Sequence, residues 1–233
     1  NLTNRSGIPA ATFRAGELPL PEAILSANIP EAQGFRTVYQ ITVEPGANYG
    51  NGRTPYDMDN RAGVGSFSKV AYFLELLGKD GSTQYAFASM DAFTQNVDQI
   101  GLPTAASGAK FMQKVTGLTV RSNVPGVQAC TQSDGGNIEF WPGNYSTNNA
   151  KQIPGANGGV YDFGDRGEPQ IPGYGSMQVH NWQAKQTVFA LNHWGGGGTV
   201  DVGIGNAPDG NSDWTFKANA AHYKAIRLTV LVK

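Results

Sequence analysis

The sequence predicts an all-β fold, a jelly-roll-like antiparallel β-sandwich with long Gly/Asn-rich loops, on three observations. Apolar and polar residues alternate with the two-residue period of a half-buried strand in about ten segments. Each segment is bounded by turn-forming clusters such as Pro45-Gly46-Ala47-Asn48, Lys79-Asp80-Gly81-Ser82 and Ser133-Asp134-Gly135-Gly136. Helical periodicity is weak throughout, and many short strands between turn signals bury their apolar faces by packing two sheets together.

Taken in order, residues 1–33 read as a lead-in segment laid across the sandwich and residues 34–233 as one domain, because no Pro/Ser-rich linker or break in composition divides the chain. The first strand is Phe35 to Val43, with Phe35, Thr37, Tyr39, Ile41 and Val43 on one face and Arg36, Val38, Gln40 and Thr42 on the other. The same alternation marks Lys69 to Leu77, Gln84 to Met90, Leu118 to Ser122, Asn137 to Trp141, Gly175 to Asn181, Gln186 to Asn192, Thr199 to Ile204, Asp213 to Phe216 and Tyr223 to Val232. Asp91 to Ile100 and Ala109 to Val115 carry enough helical pattern for a turn or two each. Gly195 to Gly198 reads as a flexible turn. The stretches Gly46 to Gly65, Pro142 to Gly159 and Asp162 to Gly173 are too rich in Gly, Asn and Pro to pack a core, and long loops of this kind are where function concentrates.

Composition narrows the partners. Only 15% of residues are charged, against roughly 25% in an ordinary domain, and the net charge is -1, whereas the chain holds 31 Gly, 18 Asn and 13 Gln. The surface is therefore amide- and hydroxyl-rich, and no basic run offers a footprint for nucleic acid or an anionic membrane. The most apolar run, Val70 to Leu77, is interrupted by Glu75 and is far too short to span a bilayer, so no membrane insertion is expected. The first residues lack an apolar export segment, which suits a chain already processed or a module cut from something longer. The one cysteine, Cys130, excludes an intrachain disulfide and reads as a small, partly buried residue.

Signals of catalysis are thin. Gly173-Tyr174-Gly175-Ser176-Met177 is not a nucleophile elbow, and the four glycines after Trp194 lack the Gly-Lys-Ser/Thr of a phosphate loop. His180, His193 and His222 have no short metal-binding spacing, though His180 and His193 lie on neighbouring expected strands and could face each other across a hairpin. Glu75, Asp91, Glu139, Asp162 and Asp165 are the carboxylates to weigh for acid-base work, and no spacing among them demands it.

Signals of binding are stronger. A sugar ring presents an apolar C–H face and a rim of hydroxyls, so a flat aromatic beside amides and carboxylates is the chemistry that holds it. The C-terminal half pairs Trp with Asn or His repeatedly. Trp141, Tyr145, Trp182 and Trp194 are the candidate stacking faces, with Glu139, Asn144, Asp162, His180, Asn181 and Asn192 as hydrogen-bonding partners. Trp141 and Trp214 also suit a sandwich core. Oxygen side chains at alternate loop positions, Asp57 and Asp59 in one loop and Asp209, Asn211 and Asp213 in another, could hold a structural calcium, although Trp214 and Ala220 stand where an EF-hand needs Gly and Glu. No cofactor is required by any motif.

Several stretches, KVAYFLEL (Lys69–Leu76), SMDAFT (Ser89–Thr94), GNIEFWPGNY (Gly136–Tyr145), VYDFGD (Val160–Asp165), GYGSMQVHN (Gly173–Asn181), VGIGN (Val202–Asn206) and DWTF (Asp213–Phe216), together resemble an accessory module of large secreted bacterial proteins. Those proteins are of the sialate O-acetylesterase-like or similar carbohydrate-active type. The resemblance covers about residues 35–233 and implies a non-catalytic β-sandwich appended to a catalytic domain in a longer chain. It implies no reaction here, since no esterase serine motif occurs.

The expectation is therefore an extracellular, non-catalytic carbohydrate-binding or accessory module that recognises neutral glycans by aromatic stacking and amide or carboxylate hydrogen bonds. Two alternatives come from other classes: a self-assembling extracellular structural protein, whose partner is other copies of itself, and a glycan-active hydrolase or lyase.

Overall fold

The structure, a computed structural model, describes Ile24 and residues 29–47, 56–102, 111–141, 176–192, 200–205 and 214–233. In chain order the strands are β1 (Arg36–Val43), β2 (Met58–Asp59), β3 (Lys69–Gly78), β4 (Thr83–Asp91), β5 (Phe111–Val115), β6 (Leu118–Ser122), β7 (Cys130–Ser133), β8 (Gly136–Trp141), β9 (Ser176–Asn181), β10 (Gln186–Asn192), β11 (Asp201–Ile204), β12 (Trp214–Thr215) and β13 (Tyr223–Val232). They form two antiparallel sheets packed face to face. The first has the order β2-β1-β13-β3-β4-β6-β7 and the second β12-β11-β10-β9-β8-β5. The chain crosses from one sheet to the other between β4 and β5, β5 and β6, β7 and β8, and β12 and β13. This is the all-β sandwich that the alternation requires.

All ten expected strands are present, and the differences have local causes. β1 carries a bulge between Thr37 and Tyr39, so Val38 and Tyr39 both enter the main core while Phe35 packs on the opposite side of the sheet. One extra residue flips the face, and the strict alternation expected for this strand ends there. β5 replaces the helical turn expected from Ala109 to Val115. Its main chain pairs with β8 from Phe111 opposite Phe140 to Val115 opposite Gly136, and tertiary pairing of this kind overrides weak local preference. The expected strand Asp213 to Phe216 stops at Thr215, because the Thr215 hydroxyl accepts from the Ala218 N–H and caps a four-residue helix, α1 (Phe216–Asn219). β7 has exposed, polar central residues, which is why no alternation announced it.

The core lies between the sheets. Tyr72 of β3 sits at its centre, with ring centroids 6.4 Å from Phe140 of β8 and 6.1 Å from Phe189 of β10. Around these rings pack Ile41, Val43, Leu74 and Leu228 from one sheet and Ile138, Val179, Leu191 and Val202 from the other. The outer face of the first sheet holds a second apolar cluster. Ile24, Ile29, Ala32 and Phe35 bury Ala71, Phe73, Phe87 and Leu231, and Phe35 meets Phe87 edge-on. A 2.6 Å ion pair from Arg121 to Glu31 closes over the same face, and Glu75, fully buried, is gripped at two points by Arg227 at 2.7 Å each.

Candidate functional site

The second sheet has an outer face of opposite character. Since Ile138 and Phe140 of β8 and Met177 and Val179 of β9 point into the core, alternation turns Asn137 and Glu139, and Gln178 and His180, the other way. The register sets Asn137 opposite His180 and His180 opposite Thr187, with Glu139 opposite Gln178. These side chains form a linked set: Asn137 Nδ2 donates to Glu139 Oε1 at 3.3 Å, His180 Nε2 lies 3.9 Å from the same oxygen, and Thr187 Oγ1 is 3.2 Å from His180 Nδ1. All five residues of these pairs are fully buried.

Trp182 closes this row. It opens the turn between β9 and β10, where Asn181 Oδ1 accepts from the Gln183 and Ala184 N–H groups and Lys185 takes a left-handed φ of 49°. The Trp182 indole N–H donates to Asn137 Oδ1 at 2.6 Å, and Lys114 Nζ sits 5.7 Å above its ring.

The structure thus brings together four residues expected at a binding site, Glu139, His180, Asn181 and Trp182. Glu139 and His180 have no exposed surface and Asn181 only 1%, so they organise the sheet and its turn and present nothing to a ligand in this conformation. Trp182, half-buried, has its polar group spent and one ring face capped. The register also corrects the pairing of His180 with His193. The residue across the hairpin from His180 is Thr187.

Of the expected calcium ligands, Asp57 Oδ2 accepts from the Thr42 N–H at 2.7 Å. Asp59 is bound at two points by Arg61, which holds its carboxyl below the usual range. Among the described residues no group of three or more His, Cys, Asp or Glu gathers to hold a metal. Asn144, Tyr145, Asp162, Trp194, Asp209, Asn211 and Asp213 lie outside the described residues. Trp141 and Asn192 are placed only as the last residues of β8 and β10. Cys130 is half-buried, its thiol donates to the Leu118 carbonyl at 3.4 Å, and burial pushes its pKa up, which favours the thiol over the thiolate.

A cavity opens instead where the ends of the two sheets part. It encloses about 290 Å³ between Leu76, Gln84 and Tyr223 of the first sheet and Gln186, Ile204 and Trp214 of the second, with Gly205 beside them. Among the described residues, its third wall is the turn Val124-Pro125-Gly126-Val127. That sequence dictates a type II turn: Pro125 presets the first corner, Gly126 takes the required positive φ of 89°, and the Val127 N–H reaches the Val124 carbonyl at 3.3 Å.

Gln186 fastens the turn to β10 at two points. Its Nε2 donates to the Gly126 carbonyl at 2.8 Å and its Oε1 accepts from the Gln128 N–H at 3.0 Å. Trp214 and Tyr223 meet at 89° with centroids 5.6 Å apart, and the Tyr223 hydroxyl donates to Gln84 Oε1 at 2.8 Å. The result is an apolar floor, two perpendicular aromatic rings and two side-chain amides around one opening.

Sequence reasoning did not single out Tyr223, Gln84 or Gln186; it favoured the core for Trp214, which does pack, partly buried, against the edge of the main core while lining the cavity. The Val-Pro-Gly-Val turn was the one local signal available for this wall. In comparisons with protein-family models, with curated proteins and with solved structures, nothing matches this chain.

Proposed function

We propose that the chain is an extracellular, non-catalytic carbohydrate-binding or accessory module, and that the cavity between the sheet ends is its glycan site. One observation carries this reading: the right-angled Trp214–Tyr223 corner stands beside the Gln84 and Gln186 amides around a cavity of about 290 Å³. Aromatic faces take up the C–H side of a sugar ring while amides and a phenol exchange hydrogen bonds with its hydroxyls. Rings and amides arrive from both sheets, so a bound sugar bridges them and stabilises the sandwich.

The reading is tested by screening the chain on a glycan array and repeating the positive spots with Trp214→Ala. Binding that disappears with Trp214 supports it, whereas an array blank for the unaltered chain removes it.

A further inference from the structure

We infer that the cavity takes one uncharged pyranose ring at the end of a glycan and rejects rings that carry a carboxylate. This rests on the reading of the cavity as a glycan site and narrows it to a ligand class. The first argument is size. About 290 Å³ stands at the small end of the ~300–1,000 Å³ typical of small-molecule sites, and it suits one ring rather than a run of several. The opening is also walled on three sides, by the first sheet, the second sheet and the Val124–Val127 turn that Gln186 holds in place.

The second argument is charge. Among the described residues, those around the cavity include no Asp, Glu, Lys, Arg or His. A carboxylate moved from water into it loses hydration and meets no opposite charge among those residues, a loss that neutral hydroxyls do not suffer to the same degree.

The third argument is the balance of donors and acceptors. Among the described residues the Trp214 indole N–H and the Gln84 amide N–H groups find no acceptor, while the Tyr223 oxygen, having given its proton to Gln84, is left to accept. A sugar hydroxyl both donates and accepts and so satisfies either kind of group. An ionised carboxylate can accept from those N–H groups but has no proton to give, so it leaves the Tyr223 oxygen unserved and sets a like partial charge against it.

The test is calorimetric titration of the full chain with matched probes. Methyl glucoside, galactoside and mannoside are each compared with the corresponding methyl uronide, which differs only by oxidation of the C6 hydroxymethyl, and with a linear neutral tetrasaccharide of the same sugar. At least one neutral glycoside is expected to bind, with its uronide at least about a hundredfold weaker and the tetrasaccharide within about tenfold of the single ring.

Trp214→Ala, and separately the milder Gln84→Ala, are expected to weaken that binding while far-ultraviolet circular dichroism stays unchanged. A uronide that binds as well as its neutral partner, with the same dependence on Trp214, overturns the inference and leaves the glycan reading standing. So does a tetrasaccharide that gains more than about tenfold over the single ring. No binding by any probe overturns both.

Discussion

Two aromatic clusters in this sandwich use similar side chains to opposite ends. In the first, Tyr39, Tyr56 and Tyr72 converge on the segment 97–102, and each phenol is consumed by the main chain. Tyr39 donates to the Val97 carbonyl at 2.8 Å, Tyr72 donates to the Ile100 carbonyl at 2.7 Å, and Tyr56 accepts from the Leu102 N–H at 2.6 Å. Tyr39 and Tyr56 stack at 4.4 Å, and Arg61 covers the Tyr39 ring at 5.4 Å. In the second, Trp214 and Tyr223 pair edge to face at a cavity, and among the described residues the indole N–H has no partner. Aromatic rings whose polar ends are spent internally hold a fold together. A ring whose polar end remains available beside a cavity, as the Trp214 N–H does, is equipped to hold something else.

The largest expected effect that breaks this comparison falls on the first cluster. Tyr72→Ala empties the middle of the core and also leaves the Ile100 carbonyl unpaired, so denaturant unfolding is expected to show a loss of about 3–5 kcal/mol. Tyr56→Phe keeps the ring but orphans the Leu102 N–H, and a loss of about 1–3 kcal/mol is expected in the same measurement. If either change proves neutral, the first cluster is not the structural one.

The same cluster sets a response to alkali. Burial raises the phenol pKa of Tyr39, Tyr56 and Tyr72, so the folded chain holds protons that the unfolded chain releases near pH ~10. Stability contributed by these phenols is fully present below that pH and is lost as pH rises above it. Thermal melts between neutral pH and pH ~11 are expected to fall steeply at the alkaline end, and Tyr56→Phe is expected to blunt the fall.

The sandwich itself was legible because ten of its strands alternate and are punctuated by turns. What escaped was set by pairing rather than pattern. The bulge at Thr37 to Tyr39 reverses a face without changing composition, and β5 and β7 draw their definition from the neighbours they pair with. The site was legible only as chemistry. Trp-with-Asn pairs pointed to aromatic and amide groups, yet Trp182 gives its indole N–H to Asn137 and His180 Nδ1 meets Thr187 across the hairpin. The cavity joins Leu76, the Val124–Val127 turn held by Gln186, and Trp214, which lie far apart in the chain, and only the strand order makes them converge.

A smaller effect is expected at the second cluster. Trp214 is partly exposed, and Trp214→Ala is expected to cost about 1–2 kcal/mol of stability, from its lost packing on the edge of the core and its lost contact with Tyr223, while removing glycan binding. Smaller still is the acid response of Asp91. Lys69 at 2.8 Å and the Thr116 hydroxyl at 2.7 Å hold its carboxyl below the usual range. Its contribution is present above the ordinary carboxylate pKa and is lost as pH falls through the lowered one. Melts of Asp91→Asn are expected to show a weaker dependence on acid than those of the unaltered chain.

The most direct test sets Trp182 and Trp214, both half-buried, against each other. Affinity electrophoresis through gels containing soluble neutral polysaccharides is run on the unaltered chain, on Trp214→Ala and on Trp182→Ala. The expected result is retardation of the unaltered chain and of Trp182→Ala, and free migration of Trp214→Ala. Retardation that survives loss of Trp214 and vanishes with loss of Trp182 contradicts the assignment of the cavity as the glycan site.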